Sequence, residues 1–199
     1  MLSSLLSQEL RGHRGDRVAE YLDQLREGAR NGEQMIDGVL ALADIARAPL
    51  AAGSLDLSRI ARELVGQRQA REPGREVFCS VQDGLRAWGD EPLLRLALGH
   101  LLDNAWKFTS QQKVAAITVG MHAGEDEPVF FVRDSGCGFD VSRACHLFHR
   151  FERLHPPGEY PGAGVGLAAV GRVIERHGGR VWADSHPARG TTVSFTLPL

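Results

Sequence analysis

The stretch LLDNAWKFT, Leu101 to Thr109, decides how the rest of the chain is read. Upstream of it, Asp90 is a natural helix N-cap, and Pro92 falls in the first turn, where a missing N–H costs little. Leu94, Leu98, Leu101, Ala105 and Phe108 then recur at helical spacing and form one apolar face. His100, Asn104 and Lys107 follow at intervals of four and three, a polar stripe beside that face. An Asn side chain offers a neutral carbonyl oxygen to a hard cation, and a Lys ammonium matches phosphate as a point charge. A small divalent cation that keeps most of its water and takes phosphate oxygens needs few protein ligands, so one Asn suffices. Taken alone, the stripe reads equally well as the polar edge of a surface helix.

Two further segments give the stripe a context. VFFVRDS, Val129 to Ser135, reads as a buried strand running into the turn DSGCGFD at Asp134 to Asp140. Asp134 at the strand end could accept a hydrogen bond from the amino group of a base, and Gly136 and Gly138 let backbone pass close to it. A plain turn uses the same residues. YPGAGVGLAAV, Tyr160 to Val170, places Gly162, Gly164 and Gly166 ahead of an apolar helical run from Leu167 to Glu175. Such a helix start exposes N–H groups and the positive dipole end to phosphate. The run lacks the Lys-Ser/Thr ending of a Walker A loop, and the element order supplies no βαβ unit for a dinucleotide fingerprint.

The succession NAxKFT, DxGxGFD, LFxRFxRLH, GxGxGLAxV resembles the catalytic ATPase domain of bacterial sensor histidine kinases, a Bergerat-type nucleotide fold. HGGRVWADSHPARGTTVSFTLPL, His177 to Leu199, resembles the end of that domain, and the likeness runs over roughly Leu55 to Leu199. It implies an α+β fold, a two-layer α/β sandwich with a mixed sheet, that binds ATP and Mg²⁺. Asn104 would be the Mg²⁺ ligand and Lys107 a phosphate contact, the two catalytic positions. Asp134 would read the adenine amino group above Gly136 and Gly138. Phe148, Phe151 and Arg153 match the phenylalanine-rich segment before a lid, with the arginine holding nucleotide or lid. Gly162, Gly164 and Gly166, leading into Leu167, would form the lid hinge and phosphate cradle, and Thr191 would lie near the adenine pocket. His100 stands where the family commonly has another Asn, either as a substituted metal-site residue or as a spectator. Ser135 is a second, minor departure.

Ahead of this domain, Val18, Leu22, Leu25, Ala29, Gly32, Ile36, Val39, Ala43 and Ala46 alternate spacings of four and three, a heptad seam broadened by Tyr21, Met35 and Leu42. Gly28, Gly32 and Gly38 each cost about 1 kcal/mol against Ala, so this helix depends on a partner. Met1 to Leu10 is too short to cover it, and pairing with another chain is expected. The resemblance makes residues 1–48 part of a dimerisation hairpin, with a homodimer through the 17–46 helix, and residues 54–199 the catalytic domain. RGHRGDR around His13 does not fit the family's acceptor-histidine box and reads as the loop between the hairpin's two helices.

A net charge of −2 offers no basic field for nucleic acid. Cys79, Cys137 and Cys145 lack a CxxC and suit reduced thiols. The histidines, among them His122, His146, His149, His155, His177 and His186, show no metal-ligand spacing with cysteine, so no zinc site is expected. Without an eighteen-residue apolar stretch or a signal-peptide pattern, no membrane contact by this chain and a cytoplasmic location are expected, and a longer parent could still carry an upstream sensor module.

The expected elements are a linker at Pro49 to Gly53, a helix at Asp56 to Arg71, strands at Val77 to Val81 and Leu85 to Trp88, then the Asn104 helix. Val114 to Met121, Val129 to Arg133, Arg180 to Ala183 and Thr192 to Leu197 complete a mixed sheet, with a lid at Arg153 to Gly164. The leading reading is a histidine kinase catalytic region passing phosphate to a response regulator by way of a histidine. The alternatives are a nucleotide-binding regulatory or scaffold protein and an ATP-hydrolysing relative, the latter disfavoured because no Glu occupies position 100.

Overall fold

The structure is a computed structural model that describes residues 15–47, 49–124, 127–140, 147–148 and 164–198. A 33-residue helix, α1 (Gly15–Arg47), leads into strand β1 (Gly53–Asp56) and helix α2 (Leu57–Arg71). Strands β2 (Val77–Val81) and β3 (Arg86–Gly89) precede helix α3 (Glu91–Phe108). Then follow β4 (Ala115–Ala123), β5 (Pro128–Asp134), α4 (Gly166–Arg176), β6 (Val181–His186) and β7 (Gly190–Thr196).

Five strands form one mixed sheet in the order β2-β4-β5-β7-β6, parallel between β2 and β4 and antiparallel elsewhere. The inward residues follow the strand period: Ile117 and Val119 on β4, Phe130 and Val132 on β5, Val193 and Phe195 on β7. They meet Ile60 and Leu64 of α2, Leu94, Leu98 and Leu101 of α3, and Val170, Val173 and Ile174 of α4 in one core. This is the two-layer α+β architecture expected from the sequence.

Helix α3 begins as its residues require. The Asp90 carboxylate accepts from the Leu93 N–H at 3.1 Å, and Pro92 sits in the first turn. Asp90 also accepts from Ala51 N–H at 2.9 Å, which fastens the segment after α1 to the same cap. Its own N–H donates to Nε2 of His177 at 2.9 Å, while Nδ1 of that ring lies 2.7 Å from the Val173 carbonyl. Accepting at Nε2 makes Nδ1 the donor, so one histidine at the end of α4 ties it to the start of α3.

Three expectations are corrected. The strand expected at Leu85 to Trp88 is β3, and it pairs with β1 in a separate two-stranded sheet rather than joining the mixed one. The cause lies at the start of α2, where the Ser58 hydroxyl donates to the Gln82 carbonyl and accepts from Leu85 N–H, and Leu57 N–H bonds the Leu85 carbonyl. These bonds hold the turn after β2 against α2 and pair β3 with the residues just ahead of that helix. Gly53, the end of the expected linker, is accordingly the first residue of β1. The α2 helix opens at Leu57 with Asp56 as its N-cap, accepting from Arg59 N–H, rather than at Asp56.

Helix α1 makes a contact that the sequence did not announce. Its last third already has a partner within the chain, because Leu42 and Ile45 are 5% and 3% exposed and join the core beside α4. The Arg176 guanidinium of α4 donates to the Ile45 carbonyl. The stripe that docks is Gly38, Leu42 and Ile45, while the seam residues Ile36 and Val39 remain 62% and 39% exposed.

Candidate functional site

Strand phase aims the acidic residue. Phe130, Val132 and Asp134 alternate along β5 toward the helical layer, so the last of them carries a carboxylate into an apolar interior. Asp134 is 8% exposed, and burial pushes its pKa up to about 6, against hydrogen bonds from the Gly136 and Thr191 N–H groups that pull it down. The Gly136 bond to Oδ1 is 2.8 Å long. Thr191 stands directly across from Asp134 in the β5–β7 register.

The turn after β5 is built of backbone in close contact. A Cβ on Gly136 would stand 2.7 Å from the Phe108 carbonyl oxygen at the end of α3. Gly138 takes φ +60, and a Cβ there would collide with the His186 carbonyl; Gly190 takes φ +86, where a Cβ would collide with the Asp134 carbonyl. Only glycine meets both demands without strain. Cys137 N–H donates to the Phe108 carbonyl at 3.3 Å, and Ala188 N–H to the Cys137 carbonyl at 2.7 Å. The Ser185 hydroxyl gathers the rest: it accepts from Phe139 N–H, donates to the Gly190 carbonyl and lies 3.0 Å from Thr191 Oγ1. This polar staple joins the turn to the β6–β7 hairpin and is what the sequence reading missed. Its signal, a serine followed by glycine and threonine, is too common to single out.

Asn104 and Lys107 lie partly exposed on the last turns of α3, whose final carbonyl, that of Phe108, holds that same turn. Lys107 Nζ sits 4.3 Å from the centre of the Phe108 ring. One turn earlier, His100 Nδ1 would be 3.3 Å from a Cβ on Gly166, the first residue of α4. Burial holds the His100 imidazole below its ordinary value; Asp103 opposes this and Arg68 adds to it. The structure thus brings His100 to the glycine-rich helix start.

Gly164 takes φ +73, and Val165 caps α4 without a side-chain hydrogen bond. Leu167 is partly buried against the core, and the Phe148 Cβ would be 3.3 Å from a Cβ on Gly171 of α4. Helix α4 packs along α3, so the Gly164–Gly166 end faces the stripe that carries His100. Phe151, Arg153 and Gly162, with His13, Cys145, His146, His149 and His155, lie outside the described residues.

Among the described residues no group of three His, Cys, Asp or Glu side chains could hold a metal. The donors at hand are the Asn104 amide and the His100 ring, which fit a cation carried in largely by phosphate oxygens and water. Among the same residues no helix is long and apolar enough to cross a membrane.

A family model described as histidine kinase-, DNA gyrase B-, and HSP90-like ATPase matches residues 89–199. The methanogenesis regulatory histidine kinase FilI of Methanothrix harundinacea is 34% identical over 194 residues, covering 97% of this chain and 22% of that protein. Cyanobacterial phytochrome A of a Nostoc species is 32% identical over 182 residues, 90% of this chain and 23% of its own length. The chain therefore spans under a quarter of either relative. Among solved structures, full-length ShkA in complex with AMPPNP superposes with a TM-score of 0.68 at 24% identity, over 99% of this chain and 45% of that one. The mycobacterial sensor histidine kinase MprB gives 0.62 at 24% identity, over 74% of this chain and 97% of that one. At this identity the two structures establish the shared fold. With a match over residues 89–199 and relatives above 30% identity along nearly its whole length, this chain belongs to the histidine kinase-, DNA gyrase B- and HSP90-like ATPases, as the ATP-binding domain of a sensor histidine kinase.

Proposed function

We propose that this chain is the catalytic region of a two-component sensor histidine kinase, which binds Mg·ATP and transfers the γ-phosphoryl group to a histidine for relay to a response regulator. The observation that carries it is the Asp134 carboxylate, buried in a glycine turn that is bonded to the end of the Asn104 helix. In this reading Asp134 accepts from the adenine amino group, with Gly136, Gly138 and Thr191 shaping the pocket. Lys107 meets phosphate oxygens, and the N–H groups at the start of α4, from Gly164 to Leu167, cradle them, with Phe148 behind and Arg153 and Gly162 contributing from the lid. Asn104 would ligate Mg²⁺, with His100 beside it. The bound cation would neutralise charge developing on the transferred group. An imidazole is already nucleophilic, so no protein base is needed and positioning is the main contribution.

Residues 1–48 would belong to the dimerisation hairpin and 54–199 to the catalytic domain. The exposed seam of α1 at Leu22, Ile36 and Val39 supports a homodimer through that helix. A second reading, a nucleotide-binding regulatory or scaffold protein, is favoured by the poor fit of RGHRGDR to an acceptor box.

The test is transfer of labelled γ-phosphate to the acceptor hairpin of a matched kinase added in trans. Wild type should label the hairpin, and Asn104→Ala should lower the rate about 100-fold or more with an unchanged melting temperature. Normal transfer by Asn104→Ala would remove the metal assignment. ATP binding without any transfer would favour the regulatory reading.

A further inference from the structure

Three of the glycines on α1 are equally exposed to helix-propensity arguments, yet one of them differs. A Cβ on Gly28 or Gly32 would meet nothing within 4 Å. A Cβ on Gly38 would stand 2.5, 2.8 and 2.8 Å from Cγ1, Cβ and Cγ2 of Val165. All three carbons of one β-branched side chain press on this notch, so no rotamer change of Val165 relieves the overlap. Val165 is 9% exposed, lies between Gly164 and Gly166, and is the N-cap of α4, with its carbonyl accepting from Ala169 N–H at 3.0 Å. Among the described residues no side-chain hydrogen bond caps that helix, and the Val165 side chain packs where a capping group would otherwise act.

We infer that Gly38 of α1 and Val165 form a notch and knob that position the phosphate cradle, making nucleotide affinity depend on a helix outside the ATPase family match. Leu42 and Ile45, the next residues of the same stripe, are buried beside α4, and Arg176 at its last turn bonds the Ile45 carbonyl, so α1 is anchored along α4 from the glycine-rich hinge onward. The flanking glycines leave the hinge backbone free to shift, and the Val165 side chain is its one bulky handle between them. Gly38 and Val165 are positioning residues, acting on nucleotide through the backbone from Gly164 to Leu167. The inference rests on that backbone being the phosphate cradle.

The experiment measures Mg·ATP affinity of the full chain with a fluorescent ATP analogue, alongside thermal unfolding. Gly38→Ala installs the better helix former, yet should weaken binding about ten-fold. Gly32→Ala, made in open space, should leave affinity unchanged. Gly38→Ala combined with Val165→Ala removes both Cγ carbons and leaves only the Cβ at 2.8 Å, so it should recover part of the lost affinity, about three-fold over Gly38→Ala alone. Wild-type affinity in Gly38→Ala, or a double variant no tighter than Gly38→Ala, overturns the inference. A wild-type chain that binds no Mg·ATP overturns the cradle reading itself, and the inference with it.

Discussion

Glycine does opposite things in two regions of this molecule. Around Asp134, Gly136, Gly138 and Gly190 stand where a side chain would strike backbone carbonyls, and the last two hold positive φ. Along α1, Gly28 and Gly32 hold helical backbone with nothing near them. The first set is required by contacts already made inside the chain. The second costs helix stability and gains nothing from the chain described, which is the signature of a face awaiting something else. The Asp134 end, which the proposed reading gives to the base, is thus preformed by interlocked backbone, whereas the Gly164–Gly166 end, which it gives to phosphate, rests on the packing of α1 against Val165.

The harshest way to break that contrast is Gly190→Ala. It forces an L side chain into left-handed backbone and drives its Cβ into the Asp134 carbonyl, so a loss of about 3 kcal/mol or more is expected in chemical denaturation. A stable Gly190→Ala variant would mean the cage is pliable.

Next in size is Asp134→Asn, where fold and function should part. A carboxyl whose folded pKa is raised from 3.8 to about 6 adds stability only while protonated, fully below its unfolded value, and loses it as pH rises through 6. The ionised group therefore weighs against the fold at neutral pH, by up to about 3 kcal/mol. Asp134→Asn should raise the melting temperature at pH 7.5, with the gain vanishing below about pH 4. The same variant should bind ATP far more weakly, because an amide cannot supply a carboxylate acceptor with both of its oxygens. Wild-type ATP affinity should likewise fall as pH drops through 6, where a proton occupies the acceptor. A flat affinity profile from pH 5 to pH 8 would take Asp134 out of adenine recognition.

The smallest effect belongs to α1. Gly28→Ala should stabilise the chain by about 1 kcal/mol or less, through propensity alone. Destabilisation instead would show that a second copy packs tightly against that glycine in solution, and sedimentation of the variant would register the loss of that partner.

Much of this was legible beforehand because it depends on neighbours in sequence. The Asp90 cap, Pro92 in the first turn and the apolar face from Leu94 to Ala105 follow from helix period and unsatisfied N–H groups. Asp134 was placed at the end of a buried strand, and the alternation with Phe130 and Val132 decides which way it faces. His177 stood out in the sequence only as a histidine without metal-ligand spacing, and nothing in HGG announces a ring bridging the Asp90 N–H and the Val173 carbonyl. The two partners are 87 and four residues away, and only the first bond joins α3 to α4.

The sequence by itself determined the family and most of the element types, and it nominated residues with chemistry to offer a nucleotide, because periodicity and motif order are local and survive without coordinates. Tertiary structure decided the rest. It paired β3 with β1 instead of the main sheet, and it set the Gly138 turn against the His186 carbonyl. It also chose Gly38, Leu42 and Ile45, rather than Ile36 and Val39 of the heptad seam, as the face of α1 that meets α4. Each of these is a contact between segments far apart in the chain, selected by fit among many apolar and backbone surfaces that look alike in sequence.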